Sequence, residues 1–185
     1  MDKQLKMIFS RHLVPVPAVP PLPHGFRLKA WHEGDDLQDY MTLREASGFL
    51  PSPDSNRSLA QAMATLRPGG FLLVEEAATG RLAASAMSCT GYHENFGNLS
   101  WVMTHPDFRG HGLGRLVCAE ALRISLAHDA DGMTLTTDDF REAALRLYLN
   151  LGWRPWLYDD VDEMRARWQT VRQRLDLSAA TEFIQ

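Results

Sequence analysis

The chain has 185 residues, of which 45% are hydrophobic and 23% are charged, and its formal net charge is −4. That length suits one globular domain, or a domain with an appendage, and can bury a sizeable core without disulfides or metals. The charge argues against a broadly basic nucleic-acid-binding protein. The sequence has neither an apolar run long enough to span a membrane nor a secretory signal at its start, so we expect no membrane partner.

Cysteine and histidine usage indicates the compartment. Cys89 and Cys118 are too few for a disulfide framework, and the histidines lack the spacing of metal ligands. We therefore expect a cytoplasmic protein without a metal site.

The first segment, Met1–Gly25, differs from the rest of the chain in its proline content. A proline run favours extended conformation and does not fit inside a helix or a central strand. We predict a strap that leads into the domain and lies on it; a ligand for a proline-recognising module is the alternative. The prolines are Pro15, Pro17, Pro20, Pro21 and Pro23.

A strand and two helices are predicted next. Phe26–Trp31 reads as a short strand, and each helix begins at a polar residue that can cap its first turn. Candidate caps are Asp35 or Asp36 for the first helix and Asp54 or Ser55 for the second, which Pro68-Gly69-Gly70 ends.

The middle of the chain predicts a meander of three antiparallel strands, Phe71–Glu75, Leu82–Cys89 and Leu99–Thr104. Ala78-Thr79-Gly80 forms the first turn, and Gly91–Asn98 forms a longer second one. Alternation places Leu99, Trp101 and Met103 on one face of the third strand.

The second half alternates helices and strands. A glycine-rich turn, Arg109–Arg115, precedes a helix with apolar residues at helical spacing. A second helix begins at Asp138 or Asp139 and ends at Gly152. The remaining predicted elements are strands at Met133–Thr137 and Trp153–Tyr158 and a final helix at about 162–175. The expected fold is therefore an α+β domain over residues 26–185 with a mixed sheet flanked by helices.

The turn Arg109–Arg115 carries the clearest chemical signal. The start of a helix leaves backbone N–H groups unpaired, and these donors favour an anion such as a phosphate. Glycines let the backbone approach closely, and the two flanking arginines add positive charge. The sequence fits neither the dinucleotide fingerprint, whose third glycine would fall on Arg115, nor the nucleotide P-loop.

Two motifs together resemble the GNAT superfamily of N-acetyltransferases. The first is the turn Arg109-Gly110-His111-Gly112-Leu113-Gly114, and the second is Ala144 to Trp153, which reads Ala-x-x-Leu-Tyr followed by Gly-Trp. The element order over 26–158 also resembles this superfamily. The resemblance implies an antiparallel N-terminal meander joined to a central pair of splayed parallel strands.

Acetyl-CoA is the acyl donor that this resemblance implies. It would lie between the splayed strands Leu99–Thr104 and Met133–Thr137, with its amides paired to β-strand groups and its pyrophosphate on the turn. The implied cofactor-binding residues are Val102, Met103 and Thr104 of the strand and Arg109, Gly110, His111, Gly112, Leu113, Gly114 and Arg115 of the turn. In many members an Asn contacts the cofactor where this chain has Arg141, which puts that contact in doubt.

Direct acetyl transfer to a primary amine is the implied reaction. Tyr148 resembles the family tyrosine that protonates the departing sulfur; its spacing alone favours a core aromatic. The family does not fix the general base. Glu75, at a strand end, and His93, in the turn before the cofactor strand, are the candidates, and each could instead be a solvated surface residue.

The acceptor remains open between a small molecule and a protein amine. Leu37–Leu66 and Gly91–Asn98 are the expected walls of its pocket. A non-catalytic acyl-CoA-binding sensor of the same fold is the main alternative function, and a nucleotide-phosphate binder of another fold is a third. A homodimer through the last strand or helix is a mild expectation.

Overall fold

The computed structural model describes residues 4–35, 37–91, 93–157, 161–177 and 183–184. In these residues the strands are β1 (Leu5–Ser10), β2 (Phe26–Ala30), β3 (Leu66–Glu76), β4 (Leu82–Thr90), β5 (Phe96–Thr104), β6 (Gly132–Thr137) and β7 (Arg154–Pro155). The α-helices are α1 (Gln38–Ala46), α2 (Pro53–Ala64), α3 (Leu113–Ala127), α4 (Glu142–Asn150) and α5 (Val161–Leu175). A short 3₁₀ helix, Pro106–Phe108, leads from β5 into the glycine turn.

The strands form one mixed sheet in the order β2-β3-β4-β5-β6-β1-β7. Neighbours run antiparallel except β5 and β6, which are parallel. A helix, α3, makes the crossover between these two strands, as a parallel connection requires. The predicted α+β fold, with an antiparallel meander and one central parallel pair, is confirmed.

The N-terminal segment contains a strand that the sequence analysis did not predict. Leu5–Ser10 pairs antiparallel with β6 on one side and β7 on the other, so it lies inside the sheet. Leu5, Met7 and Phe9 are fully buried. The apolar residues at every second position are typical of a strand, with Lys6 and Ser10 between them; the apolar Ile8 interrupts the alternation. Among the described residues before β2, Gln4 and the later, proline-rich segment 11–25 lie outside helices and strands.

A β-bulge interrupts β5 at Trp101 and Val102. These two residues face the single residue Ala86 of β4, and Trp101 has a positive φ of 51°. Because the extra residue reverses the alternation, Leu99 and Val102 join one core while Trp101 and Met103 join the other. The predicted common face of Leu99, Trp101 and Met103 was therefore wrong.

Two hydrophobic cores lie on opposite faces of the sheet. One contains the apolar faces of α3, α4 and α5. The other contains the buried residues of α1 and α2, including Tyr40 and Leu59. The sheet separates these two layers. The gap between β5 and β6 forms the site described below.

Several helix starts differ from the predicted ones. Ser52 caps α2 and accepts a hydrogen bond from the Ser55 N–H at 3.1 Å, with Pro53 as the first helical residue. Residue Leu37 precedes α1 without a side-chain cap; the Asp35 carboxylate instead accepts from the His32 N–H, and Asp36 lies outside the described residues. Pro68-Gly69-Gly70 belongs to β3, since α2 already ends at Ala64.

The loop before α4 is held by ion pairs rather than by a cap. Asp138 pairs with Arg141, and Asp139 pairs with Arg167 of α5, so neither carboxylate caps the helix. Beyond α4, the predicted strand Trp153–Tyr158 shortens to Arg154–Pro155, and Tyr158 lies outside the described residues.

Candidate active site

Glycines shape the turn between the 3₁₀ helix and α3. Gly110 and Gly112 have φ values of +83° and +76°, which L side chains rarely adopt. Gly112 is the N-cap of α3, and no side chain caps this helix. The first intrahelical bond is donated by the Leu116 N–H to the Gly112 carbonyl, so the N–H groups of residues 113–115 point out of the helix toward the turn.

Gly114 lets α3 approach its neighbours closely. A Cβ at this position would lie 3.3 Å from Leu147 Cδ2 and 3.4 Å from Thr104 Oγ1. The glycine therefore brings the N-terminus of α3 against both β5 and α4, which form the other walls of the site.

The basic side chains of the turn have different roles. Arg109 and Arg115 are exposed, and neither forms an ion pair with any residue that the structure describes. His111 is tied into the turn, because its Nδ1 lies 3.2 Å from the Phe108 carbonyl and its ring packs edge-on against Phe26. The two arginines are thus available to an anion, while the histidine supports the loop.

A cavity of about 740 Å³ opens beside the turn. We call it the turn cavity. Its walls are the turn itself, the end of β5 and the first turn of α4. Every predicted cofactor-binding residue except His111 lines it: Val102, Met103, Thr104, Arg109, Gly110, Gly112, Leu113, Gly114 and Arg115.

The parallel strands separate next to this cavity. β5 and β6 pair over only three positions, from Phe96–Gly132 to Asn98–Thr134. Beyond them the strands diverge and leave the facing backbone groups of β5 without a strand partner. A second cavity of about 420 Å³, the strand cavity, lies in this gap between Leu99–Val102 and Thr136–Asp138.

Tyr148 reaches the strand cavity from α4. Only 6% of the residue is exposed. Burial raises the pKa of its phenol, and the nearby Arg141 charge opposes part of that rise. The phenol therefore keeps its proton at neutral pH, which suits a proton donor. Its ring also packs against Trp153 in the core, so the structural and chemical roles coexist.

A third cavity, about 210 Å³ in volume, continues from the strand cavity under α2. We call it the polar cavity. Its floor is the face of β5, β6 and β1 that carries Asn98, Ser100, Thr134, Thr136 and Lys6. His93 lies on its wall, with its ring 4.8 Å from that of Trp156.

The three cavities are continuous. The turn and strand cavities share Phe49, Val102, Arg141 and Ala144, and the strand and polar cavities share Ser58, Ser100 and Thr136. One cleft thus runs from the glycine turn, past Tyr148, to His93.

Glu75 is not part of this cleft. Its carboxylate pairs with Arg27 Nε at 3.1 Å and with Lys29 Nζ at 2.8 Å, both on β2. Strand β4 separates it from the open strand pair. The structure therefore brings Tyr148, His93 and the turn to one cleft and leaves Glu75 outside it.

Sequence reasoning did not single out Phe49, although it falls in the predicted pocket wall Leu37–Leu66, and it did not place Trp101. Phe49 follows α1 and reaches the cleft only through long-range packing, where its ring lies under the Arg141 guanidinium. The position of Trp101 in the cleft depends on the bulge. No local pattern marks either residue.

Other classes of site are not found in the described part of the chain. No cluster of three or more potential metal-ligating side chains occurs there. None of its helices combines the length and the apolar character that crossing a bilayer requires.

A family model described as the acetyltransferase (GNAT) family matches residues 36–153. A mycothiol acetyltransferase of Thermobispora bispora is 30% identical over 157 residues, which cover 78% of this chain and 52% of that protein. A mycothiol acetyltransferase of Actinosynnema mirum is 27% identical over 164 residues, covering 82% and 52%. The chain thus spans about half the length of the curated relatives it matches.

The fold of this chain is similar to those of solved structures. A GCN5-related N-acetyltransferase from Sphaerobacter thermophilus superposes with a TM-score of 0.66 at 21% identity, over 83% of this chain and 49% of that chain. Similarity at this level of identity concerns the arrangement of strands and helices.

Proposed function

The chain belongs to the acetyltransferase (GNAT) family, and from this membership we propose that it transfers an acetyl group from acetyl-CoA directly to a primary amine. The observation that carries the proposal is the continuous cleft, with an anion-binding turn at one end and a protonated tyrosine in its middle.

Acetyl-CoA fits the turn and strand cavities chemically. The pyrophosphate would accept hydrogen bonds from the N–H groups at the start of α3, and Arg109 and Arg115 would add charge. The pantetheine amides would pair with the open edge of β5 near Val102 to Thr104. A backbone N–H on that edge would polarise the thioester carbonyl.

The amine would enter through the polar cavity. It must lose a proton before its nitrogen can attack the acetyl carbon, and His93, directly or through water, is the base we propose. The new C–N bond forms as the C–S bond breaks. Tyr148 then gives its proton to the sulfur, so the products are the amide and free CoA.

The polar cavity limits the acceptor by its chemistry. Hydroxyl and amide side chains dominate its lining, and among the residues that the structure describes no carboxylate lines it. A polycationic acceptor would find no opposite charge there. The relatives' printed name makes a compound related to mycothiol a natural member of an acceptor screen, beside peptide amines. A cytoplasmic location and a homodimer stay predictions.

Calorimetric titration with acetyl-CoA, with ATP and NAD as controls, tests donor binding. We expect micromolar binding of acetyl-CoA alone, about −8 kcal/mol. Binding of ATP or NAD in its place would contradict the proposal and favour a nucleotide-binding function.

Tyr148→Phe separates an enzyme from an acyl-CoA sensor. We expect thiol release in the presence of an amine to slow by about 10²-fold or more, while acetyl-CoA affinity changes little, because only the proton donor is lost. Unchanged turnover would show that Tyr148 is not the acid. Acetyl-CoA binding without turnover in the unaltered protein, with every amine tested, would favour the sensor.

A further inference from the structure

Arg141 occupies the passage between the turn cavity and the strand cavity. Four residues line both cavities, and Arg141 is the charged one among them. An acyl-CoA molecule with its pyrophosphate on the glycine turn and its thioester at Tyr148 has to extend through this passage. The guanidinium therefore lies along the route of the reacting group.

Contacts with Asp138 and Phe49 hold the side chain in that position, and a further hydrogen bond holds Asp138. Arg141 Nε donates to Asp138 Oδ2 at 2.9 Å, and Asp138 Oδ1 in turn accepts from Gln4 Nε2 at 2.9 Å. The guanidinium carbon lies 4.1 Å from the centre of the Phe49 ring, within the range of a cation–π contact. The side chain is only 29% exposed.

The hydrogen-bonding capacity of Arg141 is not exhausted by these contacts. The bond to Asp138 uses Nε, and the two η nitrogens have no hydrogen-bond acceptor among the residues that the structure describes. A guanidinium carries five donors, so four N–H groups remain for a ligand in the passage.

The charge of Arg141 reaches Tyr148. Burial raises the pKa of the Tyr148 phenol, and the Arg141 charge lowers it; both residues line the strand cavity. The other carboxylates at the two cavities have arginine partners of their own. These are Asp54 with Arg57 and Glu142 with Arg174.

We propose that Arg141 is a further catalytic residue, whose guanidinium stabilises the negative charge that develops on the CoA sulfur as the C–S bond breaks. The electron pair of that bond goes to sulfur, Tyr148 supplies the proton, and the proton lost by the amine returns to the tyrosine through the base. The inference rests on the proposed acetyl transfer. It explains how the site works with an arginine where many family members have Asn.

The thiol pKa of bound CoA tests this inference without an acceptor. The ultraviolet absorbance of the thiolate is followed during pH titration of the CoA complex, for the unaltered protein and three variants. Arg141→Gln removes the charge, and Arg141→Lys keeps it. Arg146→Gln is the matched control, since Arg146 is an exposed residue of α4 outside all three cavities.

We expect the bound thiol to have a pKa below that of free CoA, which is near the ordinary thiol value of about 8.5. Arg141→Gln should raise it by about one unit or more, a tenfold change in the thiolate equilibrium. Arg141→Lys should retain most of the depression, and Arg146→Gln should match the unaltered protein.

Two results would overturn the inference while acetyl transfer stands. One is CoA binding with the same thiol pKa in the unaltered protein and in Arg141→Gln. The other is weaker CoA binding by Arg141→Gln with no change in thiol pKa, which would assign Arg141 to a phosphate. If Arg141→Gln does not fold, a bound thiol with the pKa of free CoA in the unaltered protein overturns it. Failure of the unaltered protein to bind CoA would remove the proposed function itself.

Discussion

Glu75 and His93 illustrate how neighbouring groups decide the chemistry of a side chain. Both can accept a proton, and the sequence does not rank one above the other. The carboxylate of Glu75 is shared between Arg27 and Lys29 of β2, which hold it away from the cleft. His93 lines the polar cavity beside Trp156, where an incoming amine would pass.

We predict that substitutions of His93 and Glu75 have different effects on the rate of acetyl transfer. His93→Gln should lower the amine-dependent rate by about 10²-fold, because a general base is lost. Glu75→Gln should leave the rate within about twofold and cost about 1 kcal/mol of stability, because the cationic partners Arg27 and Lys29 are largely solvated. Steady-state thiol release across pH measures both; a large rate loss in Glu75→Gln alone would reverse the assignment.

At the scale of elements, the glycine turn and α3 act as one unit. The turn residues adopt conformations that aim the free N–H groups of the helix into the turn cavity. The function of this unit depends on backbone geometry more than on side-chain identity, since a phosphate would contact mainly N–H groups.

Gly112→Ala and Gly80→Ala form a matched pair. Gly112 and Gly80 have φ values of +76° and +75°, and a Cβ at either site meets no atom within 4 Å. Each substitution should cost roughly 1 kcal/mol of stability from backbone strain. Only Gly112→Ala should also weaken acetyl-CoA binding, by about tenfold, because only that turn faces the anion. Calorimetry and denaturant unfolding measure the two effects, and equal affinities would refute the anion role of the turn.

The N-terminal strand β1 is a second element that supports the cleft. β1 lies between β6 and β7, and the Phe9 ring packs 5.2 Å from the Trp153 ring. It therefore supports β6, one of the two strands that open around the strand cavity.

Phe9→Ala tests the contribution of β1. We expect it to lower the free energy of unfolding by about 3–5 kcal/mol, since it removes a fully buried aromatic side chain. Val16→Ala, in the exposed proline-rich segment, is the control and should change stability by about 0.5 kcal/mol or less. Similar losses in urea unfolding would mean that both parts of the N-terminus pack equally.

At the scale of the whole molecule, the cleft lies where β5 and β6 separate, between two hydrophobic layers. α3, α4 and α5 pack on one face and α1 and α2 on the other. The first layer builds the turn cavity and the second builds the polar cavity, so in the proposed reaction the two reactants would approach from opposite sides of the sheet.

Thiol and phenol groups are buried in both hydrophobic layers. Their burial predicts that the folded protein loses stability at alkaline pH. Burial raises the pKa of Cys89 from 9.0 to about 11, and it also raises the pKa values of Cys118 and Tyr148. Above the ordinary pKa of each group, the unfolded chain loses the proton while the folded chain keeps it. Stability is therefore unaffected below about pH 9 and falls as the pH rises through the folded values.

Urea unfolding in reducing buffer at increasing pH measures this effect. The free energy of unfolding should fall by up to about 1.4 kcal/mol per pH unit for each group. Cys118→Ala should show a shallower alkaline slope, because one such group is absent. A stability that stays constant to about pH 11 would contradict the prediction.

The sequence by itself determined the fold family, the meander, the glycine turn and the position of Tyr148. Each of these depends on local patterns: glycines that permit positive φ, helical spacing and strand alternation, together with two motifs in a fixed order. It also identified Arg141 as a departure from the family pattern, although not what the arginine contacts.

Only the tertiary structure decided which of these residues share a cleft. The bulge at Trp101, the stacking of Phe49 on Arg141 and the separation of Glu75 from Tyr148 all arise from contacts between distant segments. Pairing of β1 inside the sheet is equally non-local. The physical reason is that burial and electrostatic coupling depend on distances in space, which strand order and helix packing set and which spacing along the chain does not.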